Sequence, residues 1–80
     1  MASRAAQPRV ELKVARLRKG LHTQQAASDA MGISYYTIWR AESGHGIKLD
    51  LALRIAAFYG QPVENLFGPD AANGTEEGAT

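Results

Sequence analysis

The stretch that decides the fold runs from residue 23 to residue 44 and reads TQQAASDAMGISYYTIWRAESG. It divides at Gly32-Ile33-Ser34 into two short segments of helical character. Thr23 and Ser34 belong to the residue types whose side-chain oxygen satisfies the first free N–H groups of a helix. Gly32 permits the left-handed backbone of a sharp turn, which a β-carbon hinders. Ile33 is placed to plug the space between the two helices, and Ile38 and Ala41 give the second one an inner face. Two short helices joined by three residues read as a helix-turn-helix, whose second helix can lie in a DNA major groove. The same spacing also serves a plain pair of helices in a small bundle.

Working outward, Gly20, Gly32, Gly44 and Gly60 each follow a stretch of helical periodicity and mark helix ends. The first helix is expected from Pro8 or Arg9 to Lys19. Val10, Val14, Leu17 and Leu21 form its apolar stripe, with Arg9, Lys13 and Arg16 off it. The second is expected from the Thr23 cap to Met31, the third from Ser34 to just before Gly44, the fourth over Leu49 to Tyr59, and a short fifth over Pro62 to Phe67. Tyr35 to Trp39 has strand propensity, but the run is short and follows a cap. The expected fold class is therefore all-α: a compact five-helix domain over residues 8–67, with the helix-turn-helix at 23–43. Residues 1–7 are expected to form a flexible basic arm. Residues 68–80, GPDAANGTEEGAT, lack any large apolar side chain and are expected to be a disordered acidic tail.

Composition narrows the function. Eighty residues leave room for one small domain. Residues 1–60 carry all nine Lys and Arg against four acids, a net of +5, while residues 61–80 carry four acids and no base, a net of −4. A basic body points to a polyanionic partner or to nothing more than a solvated surface. No cysteine is present, which excludes a disulfide scaffold, a thiolate zinc site and a cysteine nucleophile. His22 and His45 have no carboxylate at ligand spacing, so no metal and no cofactor is expected. No paired carboxylates and no nucleophile–base set suggest an enzyme. With no signal-peptide core and no apolar run long enough for a membrane span, a cytoplasmic protein is the expectation.

The segment from Leu17 to Phe67 resembles the Cro/repressor (Xre-type) helix-turn-helix family. The matching residues are Thr23-Gln24, Gly32-Ile33-Ser34, Thr37-Ile38, Arg40, Glu42 and Gly44. They continue with Leu49, Ala52-Leu53-Arg54-Ile55-Ala56, Gly60 and Val63-Glu64-Asn65-Leu66-Phe67. The chain departs from the family pattern at several places. His22 intervenes between Leu21 and the Thr-Gln pair. Ala27, Ser28 and Ala41 stand at positions where the family has a large apolar residue, an alanine and a large residue. The loop after Gly44 is short and lacks an Asn-Pro. Met31 or Leu21 could fill the volume left by the two alanines.

The resemblance implies a lambda-repressor-like fold that binds double-stranded DNA. It places the base-reading side chains at Tyr35, Tyr36, Trp39 and Arg40 of the third helix. Arg40 is the foremost candidate for a fork onto guanine O6 and N7, with a phosphate contact or an ion pair to Glu42 or Asp29 as the plainer alternative. Three aromatic residues on a face that is usually polar call for a reason. Contact with thymine methyl groups, a protein-binding face, or an inward-folded Trp39 would each supply one. The resemblance gives Gln24 a phosphate contact and a bracing role on the reading helix. Thr23, Thr37, His45 and Lys48 are further candidates for the DNA backbone, and Arg4 and Arg9 for an arm along the duplex.

Leu51 and Phe58 lie seven residues apart on the fourth helix, outside its expected inner face of Leu49, Ala52, Leu53, Ile55, Ala56 and Tyr59. With Leu66 and Phe67 they suggest a homodimer surface. The expected function is a transcriptional regulator, in the repressor sense, on an inverted-repeat operator. The rival is a protein-interaction module on the same scaffold, such as an antitoxin-like partner or a phage accessory factor.

Overall fold

The computed structural model describes residues 7–68. Among these residues five helices follow one another: α1 Val10–Arg18, α2 Gln24–Met31, α3 Tyr35–Ser43, α4 Leu49–Tyr59 and α5 Val63–Phe67. No strand occurs among the described residues, so the chain is all-α there. The expected bounds of α2, α3 and α4 agree with the structure, whereas α1 and α5 each start one or two residues late. The expected basic arm and acidic tail, Arg4 among them, lie outside the described residues apart from Gln7 and Gly68.

Local chemistry explains the ends. Thr23 Oγ1 accepts from the Ala26 N–H at 3.0 Å, and Ser34 Oγ accepts from the Thr37 N–H at 3.1 Å. Each satisfies a donor that has no partner within its own helix. Gly32 closes α2 at φ +70°. The three-residue turn is then fastened from inside. Ser28 Oγ, itself buried, donates to the Ile33 carbonyl at 2.6 Å, and the Ile33 N–H returns to the Ser28 carbonyl at 3.3 Å.

The helices wrap a core of small and medium side chains. Leu12 and Ala15 come from α1, Ala27 from α2, Ile33 from the turn, and Ile38 and Ala41 from α3. Ala52, Ile55, Ala56 and Tyr59 come from α4, and Leu66 and Phe67 from α5. With five alanines among these twelve residues, the helix axes must approach closely to keep interior density. Leu21 and Met31 are half-buried and pack against this core. α2 packs on α3, α1 on α3 and α5, and α4 on α5.

Four sequence expectations need correction. α1 is rolled away from its expected stripe: Val10 is 61% exposed and Leu17 42%, while Leu12, Ala15 and Arg16 are buried. Arg16 can be inside because Glu42 neutralises it. On α4, Leu53 was expected inside and is exposed, whereas Leu51 and Phe58 are half-buried and packed on the core. Phe58 lies under the Lys19 ammonium, 5.0 Å from its ring centre. Leu66 and Phe67 were expected on a dimer surface but are core residues, 2% and 8% exposed. The last helix is only five residues long and is held by burying its two large side chains. Arg9 is not an arm residue either. Its Nη1 donates to the Ala41 and His45 carbonyls at 2.8 and 2.9 Å, and its guanidinium covers the Phe67 ring at 5.0 Å.

Candidate functional site

The site is built on α3, whose inner side carries Ile38 and Ala41 and whose outer side carries Tyr35, Tyr36, Trp39 and Arg40. The 3.6-residue period separates these two sets. Tyr35, Tyr36 and Trp39 are 48%, 60% and 38% exposed, so the inward-folded alternative for Trp39 does not hold. Instead the rings form a ladder along the outside of the helix. Tyr36 and Trp39 stack with centroids 5.9 Å apart and planes at 21°, and His45 lies on Trp39 at 5.2 Å and 32°. Tyr35 stands beside them as the first residue of the helix.

Arg40 behaves differently from its neighbours. Nε and Nη2 both donate to the Gly46 carbonyl, at 3.1 and 2.6 Å. Nη1 makes a long contact of 3.5 Å to Tyr36 Oη, and the guanidinium leans over the Tyr36 ring at 5.8 Å. One fork of the guanidinium thus holds the loop after α3 in place. Neither acidic alternative partner is used by Arg40: Glu42 pairs with Arg16, and Asp29 accepts from Gln25 Nε2 at 3.0 Å. Nothing in the sequence flagged this role, since a backbone carbonyl leaves no trace in residue type.

Behind α3 lies a buried polar knot. Arg16 donates through Nε and Nη2 to the two oxygens of Glu42, at 2.7 and 3.1 Å, and through Nη1 to the Leu21 carbonyl at 3.0 Å. Gln24 Nε2 donates to Glu42 Oε1 at 3.1 Å. The first residue of α2 is therefore tied to the last turn of α3 and, through Glu42, to Arg16 of α1. Tyr59 sits close enough to feel this knot. Burial pushes its phenol up to about 12, the Glu42 carboxylate adds to the rise, and the Arg16 guanidinium opposes it.

Thr37 is half-buried, and its Oγ1 accepts from the Ser34 hydroxyl at 3.0 Å. Thr23 is occupied as the α2 cap. Lys48 is exposed, just before α4. Tyr36, Thr37, Arg40, Gly46, Lys48 and Leu51 line an open cleft of about 260 Å³ beside the aromatic ladder. A second open concavity, of about 380 Å³, lies between the end of α2 and α4 and is lined by Met31, Ile33, Arg54 and Phe58. The second brings together no pair of acid–base or nucleophilic groups. Among the described residues no three His, Cys, Asp or Glu side chains gather to hold a metal ion, and no helix is long and apolar enough to cross a membrane.

No protein-family model, no curated protein sequence and no solved structure matches this chain.

Proposed function

We propose that this chain is a sequence-specific DNA-binding regulator. It lays α3 in the major groove and, as a homodimer, occupies an inverted-repeat operator, acting as a repressor. One observation carries the reading: Tyr35, Tyr36 and Trp39 stand exposed on the outer side of α3 and are framed by groups suited to a phosphate backbone. Those groups are the Thr37 side chain, the His45 loop and the Lys48 ammonium. The helix is short, capped and locked to α2 through Gln24 and Glu42, so it presents its side chains as a rigid set. Phosphate contacts would set the register, and the four outward side chains would select sequence. Arg40 acts in part through the loop it holds.

The dimer belongs to this proposal on grounds of symmetry, since two half-sites about 34–36 Å apart call for a twofold protein. Of the surface first considered for it, Leu51 and Phe58 remain, both half-buried.

A second reading, a protein-interaction module, is favoured by the Tyr36–Trp39–His45 ladder, because aromatic side chains are enriched at protein interfaces. Selection of bound duplexes from a random pool, repeated at several salt concentrations, separates the two. One palindromic motif, with affinity falling as salt rises, is the expected result. Failure to enrich any motif sinks the DNA reading and leaves the protein surface. Tyr36→Ala is the informative variant, since Arg40→Ala would also release the loop and Gln24→Ala would also loosen the Glu42 knot. Trp39 is the chain's one tryptophan and lies on the proposed face, so its fluorescence reports binding directly.

A further inference from the structure

We propose that the outer face of α3 selects its duplex by the methyl groups of thymine. This inference rests on the DNA reading above. The fork first expected of Arg40 requires two adjacent N–H donors aimed at guanine O6 and N7. Its Nε–Nη2 edge is turned to the Gly46 carbonyl, at 3.1 and 2.6 Å, which anchors the guanidinium to the loop after α3. Arg40 is held in the frame of the face.

Beside Arg40 the face offers broad aromatic ring surface at Tyr35, Tyr36 and Trp39. Tyr36, Trp39 and His45 form one stacked run, and Tyr36 is the most exposed of the α3 aromatics. Centroid spacings of 5.9 and 5.2 Å leave no gap for a base to slide between these rings, so a ligand meets their outer edges and faces. Of the groups that base pairs display in the major groove, the thymine methyl is the apolar one. Cytosine would instead offer an N–H donor to an acidic acceptor. The only carboxylate of α3, Glu42, is 9% exposed and already accepts from Arg16 and Gln24. The same inward turn of Glu42 removes negative charge from the face, while Lys48 stays exposed at its margin, as a polyanionic duplex requires.

The test uses the duplex recovered by selection, with each thymine under α3 exchanged in turn for deoxyuridine, cytosine and 5-methylcytosine, the purine partner following. If methyl groups are read, thymine and 5-methylcytosine bind alike, and deoxyuridine and cytosine both bind about fourfold more weakly per position. Tyr36→Ala and Trp39→Ala should erase the difference between thymine and deoxyuridine, with helicity measured by circular dichroism as the check on folding. The base-exchange series needs no variant, so an unfolded variant does not blunt it. Equal binding of thymine and deoxyuridine overturns the inference and leaves the DNA reading standing. A ranking that places both A·T-type pairs above both G·C-type pairs also overturns it, in favour of polar-edge reading. If no duplex is recovered, the DNA reading falls and takes this inference with it.

Discussion

Glu42 accepts hydrogen bonds from two other helices, from Arg16 at 2.7 and 3.1 Å and from Gln24 at 3.1 Å, with its side chain only 9% exposed. Removing it leaves the Arg16 guanidinium buried without its counter-charge, and such uncompensated charges cost about 3–5 kcal/mol. A domain of this size has a total stability of that same order. Glu42→Ala should therefore unfold much of the population, visible as a large fall in the urea midpoint. Arg16→Met with Glu42→Leu should cost far less, because apolar replacement removes the desolvation penalty along with the pair. Equal losses in the two variants would mean that the pair is not effectively buried. Tyr59, beside this knot, adds a pH dependence. Its phenol is raised from 10.0 to about 12, so the folded state holds the neutral form more tightly than the unfolded chain does. That contribution is complete below pH 10 and fades as pH rises toward 12. The loss follows from proton linkage, since the folded state keeps a proton that the unfolded chain releases. Tyr59→Phe should flatten the loss of stability between those two pH values, measured by urea unfolding alongside the parent protein.

At the scale of elements, the turn between α2 and α3 and the end of α3 carry separate devices. Ser28→Ala removes the hydroxyl that donates to the buried Ile33 carbonyl at 2.6 Å. A loss of about 1–3 kcal/mol follows from leaving that acceptor unmatched, with faster hydrogen exchange at Gly32 and Ile33. Gly32 and Gly44 share a left-handed backbone, at φ +70° and +91°, but differ in surroundings. A β-carbon on Gly32 meets nothing, so Gly32→Ala should cost only the conformational penalty of roughly 1–2 kcal/mol. On Gly44 it would collide with the Gln7 backbone, which crosses there just before Arg9 bonds to the Glu42 carbonyl. Gly44→Ala should cost clearly more than Gly32→Ala, and equal penalties would show that the crossing segment yields freely.

The same elements show what could be read in advance. The ends of α2, α3 and α4 follow from caps and glycines because those devices are local, acting within four residues. The face of α1 did not follow from its stripe. Spacings of four and three mark an apolar side, but a paired Arg16 and a small Ala15 outcompete Val10 and Leu17 for the interior. Burial of an arginine depends on a partner 26 residues away, which periodicity cannot register. Leu66 and Phe67 misled for a related reason: large apolar residues near a chain end look available until the short helix carrying them folds under α1. In the site, the outward set at 35, 36 and 39 was legible from helical period alone. The roles of Arg9 and Arg40 were not, because both act on backbone carbonyls.

For the molecule as a whole, the body's net charge of +5 overstates what it presents to a polyanion. Arg9, Arg16 and Arg40 are engaged within the fold, on carbonyls and on Glu42. Lys13, Arg18, Lys19, Lys48 and Arg54 are exposed, and of these Lys48 lines the cleft beside the aromatic ladder. Each phosphate neutralised releases counterions and steepens the fall of log affinity with log salt by about 0.9. If Lys48 makes such a contact, Lys48→Ala should make that slope shallower by about 1 per subunit, hence about 2 for a dimer on two half-sites. The affinity loss should be uniform across duplexes, with the selected motif unchanged, because a phosphate carries no base identity. Tyr36→Ala should do the reverse, altering the motif at nearly constant slope. A Lys48→Ala protein with an unaltered slope would move the backbone contact elsewhere, and one with an altered motif would place Lys48 on a base edge.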